Sequence, residues 1–395
     1  MGMEDMKILH LSPYLPALDE NHAGGICMGK QVETLSKEHQ VYVVSFIITK
    51  LDQKIAESLS TEQYYCFTLN RFHKAFNVIT HLWLPAYFAT RSHRGVKKVI
   101  IKLIKEKQIE AVHAEYAAMG QYIWLKKKFP GLIFNLVEHD FTEQSYERKM
   151  NYETNKLKLL YYKSQMKLVH FWEKRYCTKA DQLFVFNEKD KKLIGERYEI
   201  NNIQVLNPYF GMEYSDALDE RPYKKYRICF VGQMGRSENY EAAFRLIDIV
   251  RKLKKEVPEL ELAIIGNGPP DELCKKQGNG VFISGFVPDI DKEIRTCQLG
   301  VFPLLKGAGI KLKVLKCLSL GVPVVTTLVG AEGIDEEGTI LSIAESDNEF
   351  CIKIKKIIDD DKEYKALSQR GKRFVCEKFG WEKTENILKQ VYKHD

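Results

Sequence analysis

The amino-acid sequence predicts an α/β protein built from two doubly wound, Rossmann-like domains. Three observations carry that reading. Runs rich in β-branched and other apolar residues alternate with amphipathic helical runs through both halves of the chain. The chain has 395 residues, enough for two domains of ordinary size. Residues 301–334, V-F-P-L-L-K-G-A-G-I-K-L-K-V-L-K-C-L-S-L-G-V-P-V-V-T-T-L-V-G-A-E-G-I, spell one complete strand–loop–helix–strand unit. Its first β-rich run ends at Pro303 and its loop carries Gly307 and Gly309. The helix starts near Leu312 and stops at Gly321, and a second β-rich run covers 322–326. Such a loop exposes backbone N–H groups at a helix N-terminus, with Lys311 and Lys313 beside them, so it favours an anion, most naturally a phosphate. The glycines allow the backbone to approach closely.

The elements follow in order. K-I-L-H-L-S-P near the start is a short strand running into a loop. Residues 22–29 read as a Gly-containing loop, followed by a helical run through Leu35 and a strand over 41–46, the β-loop-α-β opening of a doubly wound sheet. Residues 111–114 and 133–137 read as buried strands, 153–177 as a long, mostly helical stretch, and 182–186 and 203–206 as the last strands of this half. In the second half, 228–231 is a strand and 239–256 a helix with Ala243, Leu246, Ile247, Val250 and Leu253 on one face. Strands at 260–265, 281–283 and 299–303 lead to the unit already described. The N-P-Y-F-G to R-P-Y segment, residues 207–223, reads as the boundary. This gives domains over 1–207 and 208–379 and a closing helix over 380–395.

Composition narrows the function classes. A hydrophobic content of 45% with 29% charged residues is that of a soluble globular protein. The opening M-G-M-E-D-M is acidic, and the apolar run after Lys7 is broken by Ser12 and Pro13, so no secretory signal is expected. Met6 breaks the myristoylation pattern. The longest apolar stretch, Leu318–Ala331, is interrupted by Gly321 and Pro323 and falls short of the roughly 20 residues that span a bilayer. Nine scattered cysteines without a C-x-x-C pair fit reduced thiols in a cytoplasmic protein better than disulfides or zinc.

Charge is unevenly spread. Residues 1–207 hold 30 Lys+Arg against 23 Asp+Glu and carry the whole net charge of +7, whereas residues 208–395 hold 30 of each. Within 71–179 the count is 21 against 9, interleaved with aromatics as in Y-Y-K-S-Q-M-K-L-V-H-F-W-E-K-R-Y. Such a surface suits an anionic membrane face, a polyanionic acceptor or a nucleic acid, and solvated Lys-rich helices are the plainer alternative, as at Lys126–Lys128. The expectation is a cytoplasmic protein, peripheral on the inner membrane face through residues 71–179, with no nucleic-acid partner.

Residues 301–334 resemble the donor-site signature of retaining GT-B glycosyltransferases of family 4, the glycosyl transferases group 1. The shared features are a hydrophobic strand ending in Pro, G-x-G, a basic pair, a short helix, G-x-P-V-V-x-T and G-x-E-G-I. The match is strong from Ile228 to Ile334, moderate at the N-terminus and weak over 50–130. The resemblance implies two Rossmann-like domains facing each other across a cleft, with the C-terminal helix returning to the first. It implies transfer of a sugar, with retention, from a nucleotide-diphosphate donor in the second domain to a glycan or lipid-linked acceptor held by the first. It implies no cofactor beyond the nucleotide sugar and no bound metal.

The resemblance also assigns residues. Lys313, at the start of the signature helix, takes the place of the family's diphosphate-binding Lys. Arg236, in the strand-end loop F-V-G-Q-M-G-R that also holds Gly232, is a second phosphate ligand, and Lys311 a weaker one. Positive groups there would stabilise a departing nucleoside diphosphate. Gly24 and Gly25 match the Gly loop under the diphosphate, and Gly266 the loop near the base. His139, in V-E-H-D-F, matches a His near the transferred sugar, able to hydrogen-bond sugar or acceptor or to relay a proton. Glu332 is a carboxylate that faces the donor sugar or ribose, or else opens a helix. G-N-G-P-P-D at 266–271 lacks the third Gly of a dinucleotide fingerprint, and Pro269–Pro270 prevents the tight turn, so no redox cofactor is expected. Asn239 reads as a helix N-cap, and Asp289–Asp291 and Asp359–Asp361 as helix starts rather than metal ligands.

Two departures stand out. Where the family carries a Glu one turn into the signature helix and another upstream, this chain has Lys316 and Ala308. Lysine has no acceptor lone pair with which to hold a ribose diol. Lys313 and Lys316, three apart, share a helix face, so an unusually basic donor site is expected. Two rivals to a glycosyltransferase follow: a catalytically weak GT-B-shaped binding subunit, and a nucleotide-sugar epimerase.

Overall fold

The computed structural model describes residues 5–20, 23–211, 222–307 and 309–393. His22, Ala308 and much of the 207–223 segment lie outside the described residues. The chain divides into two compact units, Met1–Gly211 with Trp381–Asp395, and Met212–Gly380.

Unit 1 is a seven-stranded, all-parallel sheet. Its strands are β1 (Lys7–Leu11), β2 (Gln40–Ile47), β3 (Tyr64–Thr68), β4 (Ala111–Glu115), β5 (Ile133–Glu138), β6 (Gln182–Val185) and β7 (Ile203–Val205), in the order β3-β2-β1-β4-β5-β6-β7. Central strands are buried on both faces, as β4 is along its whole length, which is why they read as continuous apolar runs. Leu9, Val44, Phe134 and Leu183 form their core with residues of the flanking helices such as Phe88, Ile100 and Tyr176.

Unit 2 is a six-stranded parallel sheet of β8 (Lys224–Val231), β9 (Glu261–Ile265), β10 (Val281–Gly285), β11 (Cys297–Phe302), β12 (Val324–Thr326) and β13 (Ser342–Ile343), in the order β10-β9-β8-β11-β12-β13. Both sheets therefore reverse winding direction beside their first strand, between β1 and β4 and between β8 and β11. In open α/β sheets ligands bind beyond the strand C-termini at such a reversal.

The Trp381–Val391 helix belongs to unit 1. Trp381 Nε1 donates to Thr34 Oγ1 at 3.1 Å on the Ala23–Leu35 helix. The buried Thr384 hydroxyl accepts from Asn207 N at 2.6 Å and donates to Asn207 O at 2.9 Å.

Sequence and structure differ at the sheet edges and at two helix starts. Strands β3 and β13 escape the sequence reading. The first pairs on one side only and is half-buried, and the second is two residues long, too short for any periodicity. Of the segment read as a loop, residues 23–29 are helical: the helix runs Ala23–Leu35, so Gly24 and Gly25 lie in its first turn, both buried. Asn239 is not an N-cap. The helix runs Ser237–Leu253, and Asn239 sits inside its first turn, donating from Nδ2 to Gln233 O at 2.8 Å.

Gly266 is fixed by sterics. Its φ is +143°, and a Cβ there would lie 1.7 Å from the carbonyl oxygen of Gly232. We therefore expect Gly266→Ala to force the β8 and β9 end loops apart and to lower stability by about 2–4 kcal/mol. Thermal unfolding of the two proteins measures this, and an unchanged Tm would contradict the close approach.

Candidate active site

In unit 2 the site residues gather at the C-terminal ends of β8 and β11. The loop after β8 carries Gly232 and Arg236, and the loop after β11 leads into the Leu312–Ser319 helix, whose second residue is Lys313. The Lys313 ammonium lies 5.1 Å from the Phe230 ring centroid and 6.0 Å from that of Phe302. It hydrogen-bonds the side-chain oxygen of Asn239. Burial, with Arg236 and Lys311 nearby, pushes its pKa down to about 7. A positive charge here is held at a cost and has a neutral amide as its hydrogen-bond partner.

The other basic groups differ: each has a carboxylate. Arg236 pairs with Glu238. Burial opposes ionisation of Glu238, but Arg236, a backbone hydrogen bond and Lys313 together outweigh it and the Glu238 pKa is lowered. Lys311 is buried, donates to the carbonyl of Gly309 and lies 3.7 Å from the equally buried Glu332. Gly307 and Gly309 take φ of +118° and +67° in this loop. Lys311 thus braces the glycine loop. Glu332 follows the short Leu328–Ala331 helix instead of opening one.

Lys316 departs furthest from expectation. It pairs with Asp291 at 2.8 Å, both side chains being partly buried. Asp291 lies in the first turn of the Ile290–Arg295 helix, which Asp289 caps by accepting from Lys292 N at 2.9 Å. The extra basic charge expected from Lys316 is therefore balanced locally. The other acidic run is likewise a helix start, Asp360 accepting from Lys362 N and Glu363 N.

In unit 1, His139 follows β5 and is buried. Its ring stacks on Tyr116 with centroids 3.7 Å apart and meets the edge of Phe186 at 4.8 Å. Its Nε2 lies 2.6 Å from Glu115 Oε2. Glu115 ends β4, and its other oxygen, Oε1, bonds His10 Nε2 at 3.3 Å and lies 3.3 Å from His113 Nε2. Burial opposes ionisation of Glu115, but the bonds from His10, His113 and His139 hold its pKa well below the usual carboxylate range. His113 also reaches Gln31 Oε1 at 3.0 Å and Tyr392 OH at 2.7 Å. His10, His113 and Glu115 place three ligand-type atoms within 4.8 Å of one another, and the mutual hydrogen bonds account for that grouping.

The sequence reading missed Glu115, Asn239, Glu238 and Asp291 as partners of site residues. The signal for Glu115 was present: a carboxylate between a histidine and an aromatic at the end of a buried strand, H-A-E-Y. The others pair across 2 to 74 positions of chain with no local signature.

Comparison with known proteins places this geometry. Residues 225–360 match the family model "Glycosyl transferases group 1". An uncharacterized 44.6 kDa protein in the cps region of Klebsiella pneumoniae is 26% identical over 381 residues, covering 92% of this chain and 93% of its own. The O-antigen biosynthesis glycosyltransferase WbnH of Escherichia coli is 22% identical over 286 residues, covering 70% and 76%. The pneumococcal O-GlcNAc transferase GtfA, solved in complex with UDP and GlcNAc, superposes with a TM-score of 0.70 at 11% identity over 98% of both chains.

The chain is a GT-B glycosyltransferase. The matched segment of this glycosyltransferase runs from β8 past the Leu312–Ser319 helix, and so contains Arg236, Lys311, Lys313, Lys316 and Glu332.

Reversing Lys316 tests the ion pair. Lys316→Glu sets two carboxylates against each other, and we expect a loss of about 2 kcal/mol, between the value of an exposed pair and that of a buried one. The swap Lys316→Glu/Asp291→Lys should recover most of it. A swap no more stable than the single variant, by chemical denaturation, would exclude the pair.

Proposed function

We propose that this glycosyltransferase moves a sugar from a nucleotide-diphosphate donor held by unit 2 to a glycan or lipid-linked acceptor, with retention at the anomeric carbon. Cell-surface polysaccharide biosynthesis is the proposed setting. The cps-region and O-antigen relatives support that setting, and the UDP complex of GtfA supports the donor class. Lys313 is the observation that carries the reading. A desolvated ammonium bonded to a neutral amide, beside two further cations and acted on by a single carboxylate, Glu238, that already pairs with Arg236, is a site short of negative charge, and a diphosphate supplies it.

The chemistry follows from that charge. In the transfer the bond between the anomeric carbon and the diphosphate oxygen breaks, and negative charge grows on the leaving group. Lys313, Arg236 and the N–H groups that open the Leu312–Ser319 helix would stabilise that charge. The acceptor oxygen bonds the anomeric carbon on the same face, and its proton passes to the leaving phosphate. His139 would orient the sugar or the acceptor hydroxyl. Its bond to the ionised Glu115 requires Nε2 to carry a proton, which leaves Nδ1 as the ring nitrogen able to accept a hydrogen bond in the neutral ring. No metal is needed in this scheme, since the two acidic runs are helix caps.

Incubation with a panel of nucleotide sugars and lipid or glycan acceptors, with detection of released nucleotide, tests the proposal. We expect Lys313→Ala to slow release about 10²–10³-fold. Its Tm should not fall, because the substitution removes a poorly solvated charge. Chelator should leave the wild-type rate unchanged. No release with any donor would favour a binding subunit, isomerisation without acceptor an epimerase, and strict metal dependence would overturn the metal-free scheme.

A further inference from the structure

The Arg71–Thr80 helix of unit 1 is inside out. Its one buried residue is Asn77, which donates to Thr90 O at 3.2 Å, while its apolar face points to solvent. Phe72, Phe76 and Ile79, at helical i, i+4, i+7 spacing, are 86%, 65% and 69% exposed, and Leu82 and Trp83 continue the surface beyond the helix at 70% and 58%. A soluble helix normally turns such a stripe inward, and a contiguous exposed patch of this kind marks an interaction surface.

A second helix continues it. Trp172 Nε1 donates to Trp83 O at 2.6 Å and Gln165 Oε1 accepts from Ala86 N at 2.7 Å, which fixes the Lys156–Cys177 helix against the segment after the first. Along it, Leu157, Leu160, Tyr161 and Phe171 are exposed and, at about 100° per residue, fall on one stripe. Lys156, Lys163 and Lys167, all exposed, fall on a line beside that stripe. Nine of the fifteen large apolar side chains exposed among the described residues lie between 71 and 179. The exposed apolar surface thus coincides with the span in which basic residues outnumber acidic ones 21 to 9.

We propose that this surface is a membrane-docking face that inserts its aromatic and aliphatic side chains into the headgroup–acyl boundary of an anionic bilayer, with the flanking lysines on the lipid phosphates. Charge complementarity decides the occupant. A lysine line flanking an apolar stripe matches a surface that is anionic outside and apolar beneath. No helix among the described residues is long and apolar enough to cross a membrane, so the contact is interfacial. Two attractions then act together. The lysine contribution is screened by salt, and the insertion is not.

Co-sedimentation of the full chain with phosphatidylcholine vesicles, with and without phosphatidylglycerol, tests this without donor or acceptor, so its outcome is independent of the proposed transfer reaction. We expect binding to the anionic vesicles that weakens from about 0.1 M to about 0.5 M salt but persists. Phe76→Asp/Ile79→Asp should lower the partition coefficient at least tenfold at both salt concentrations with Tm unchanged, since both side chains are exposed. Lys163→Glu/Lys167→Glu should weaken binding to anionic vesicles and leave any binding to neutral ones untouched. Absence of wild-type binding, complete loss in salt, or wild-type binding by the Asp pair would each overturn the proposal. So would a dimer, seen by light scattering, that the Asp pair dissociates in a protein that binds no vesicle, because a second copy would then cover the face.

Discussion

The charge on Lys313 is the constraint on which the rest of the unit 2 site turns. Its ammonium stands over two phenyl rings with Arg236 and Lys311 close by. Concentrating three cations at the end of a sheet is tolerable only if most are neutralised locally. Glu238 answers Arg236 and Glu332 answers Lys311, and Asp291 does the same for the neighbouring Lys316. Lys313 is bonded to an amide that orients it without neutralising it. Each of Arg236, Lys311 and Lys316 thus has its own carboxylate, whereas Lys313 has only a share of Glu238, a shortfall that the proposed diphosphate leaving group would make good.

The winding of the sheets delivers these groups. Chain reversal between β8 and β11 sets two strand ends side by side, so residues 236 and 313 meet although far apart in sequence. The same reversal in unit 1 sets the ends of β1 and β4 together, and there the end residue of β4 is Glu115. A carboxylate receiving imidazole hydrogen bonds keeps its charge inside a core where burial alone would remove it. His139 is held by that charge and by the Tyr116 ring. The C-terminal segment joins the network through Tyr392, the residue after the Trp381–Val391 helix, and His113.

What could be read from the sequence follows from the range of the interactions involved. Central parallel strands are buried on both faces, so their positions were legible from apolar runs, whereas one-sided β3 and two-residue β13 were not. Glycine and helix punctuation placed the 301–334 unit correctly, because turn chemistry is local. The failures lie where the partner is distant. Lys316 read as an added positive charge because Asp291 is brought to it only by the fold, and Asn239 read as a cap because Lys313, the partner of its side-chain oxygen, is 74 residues away. Glu332 read as facing a donor or opening a helix, and only packing shows Lys311 against it.

The central claim, that Lys313 is a desolvated cation awaiting a diphosphate, has a direct thermodynamic signature. With a pKa of about 7 the ammonium is mostly deprotonated at pH 8, and a bound diphosphate must pull a proton onto it. Calorimetric titration of UDP into the wild type at pH 8, in two buffers of different ionisation enthalpy, should show uptake approaching about one proton, falling toward zero at pH 6. Affinity should decline as pH rises above 7. Lys313→Arg, charged throughout, should bind without uptake at pH 8. Proton uptake that is absent in the wild type, or equal in the arginine variant, would contradict the account.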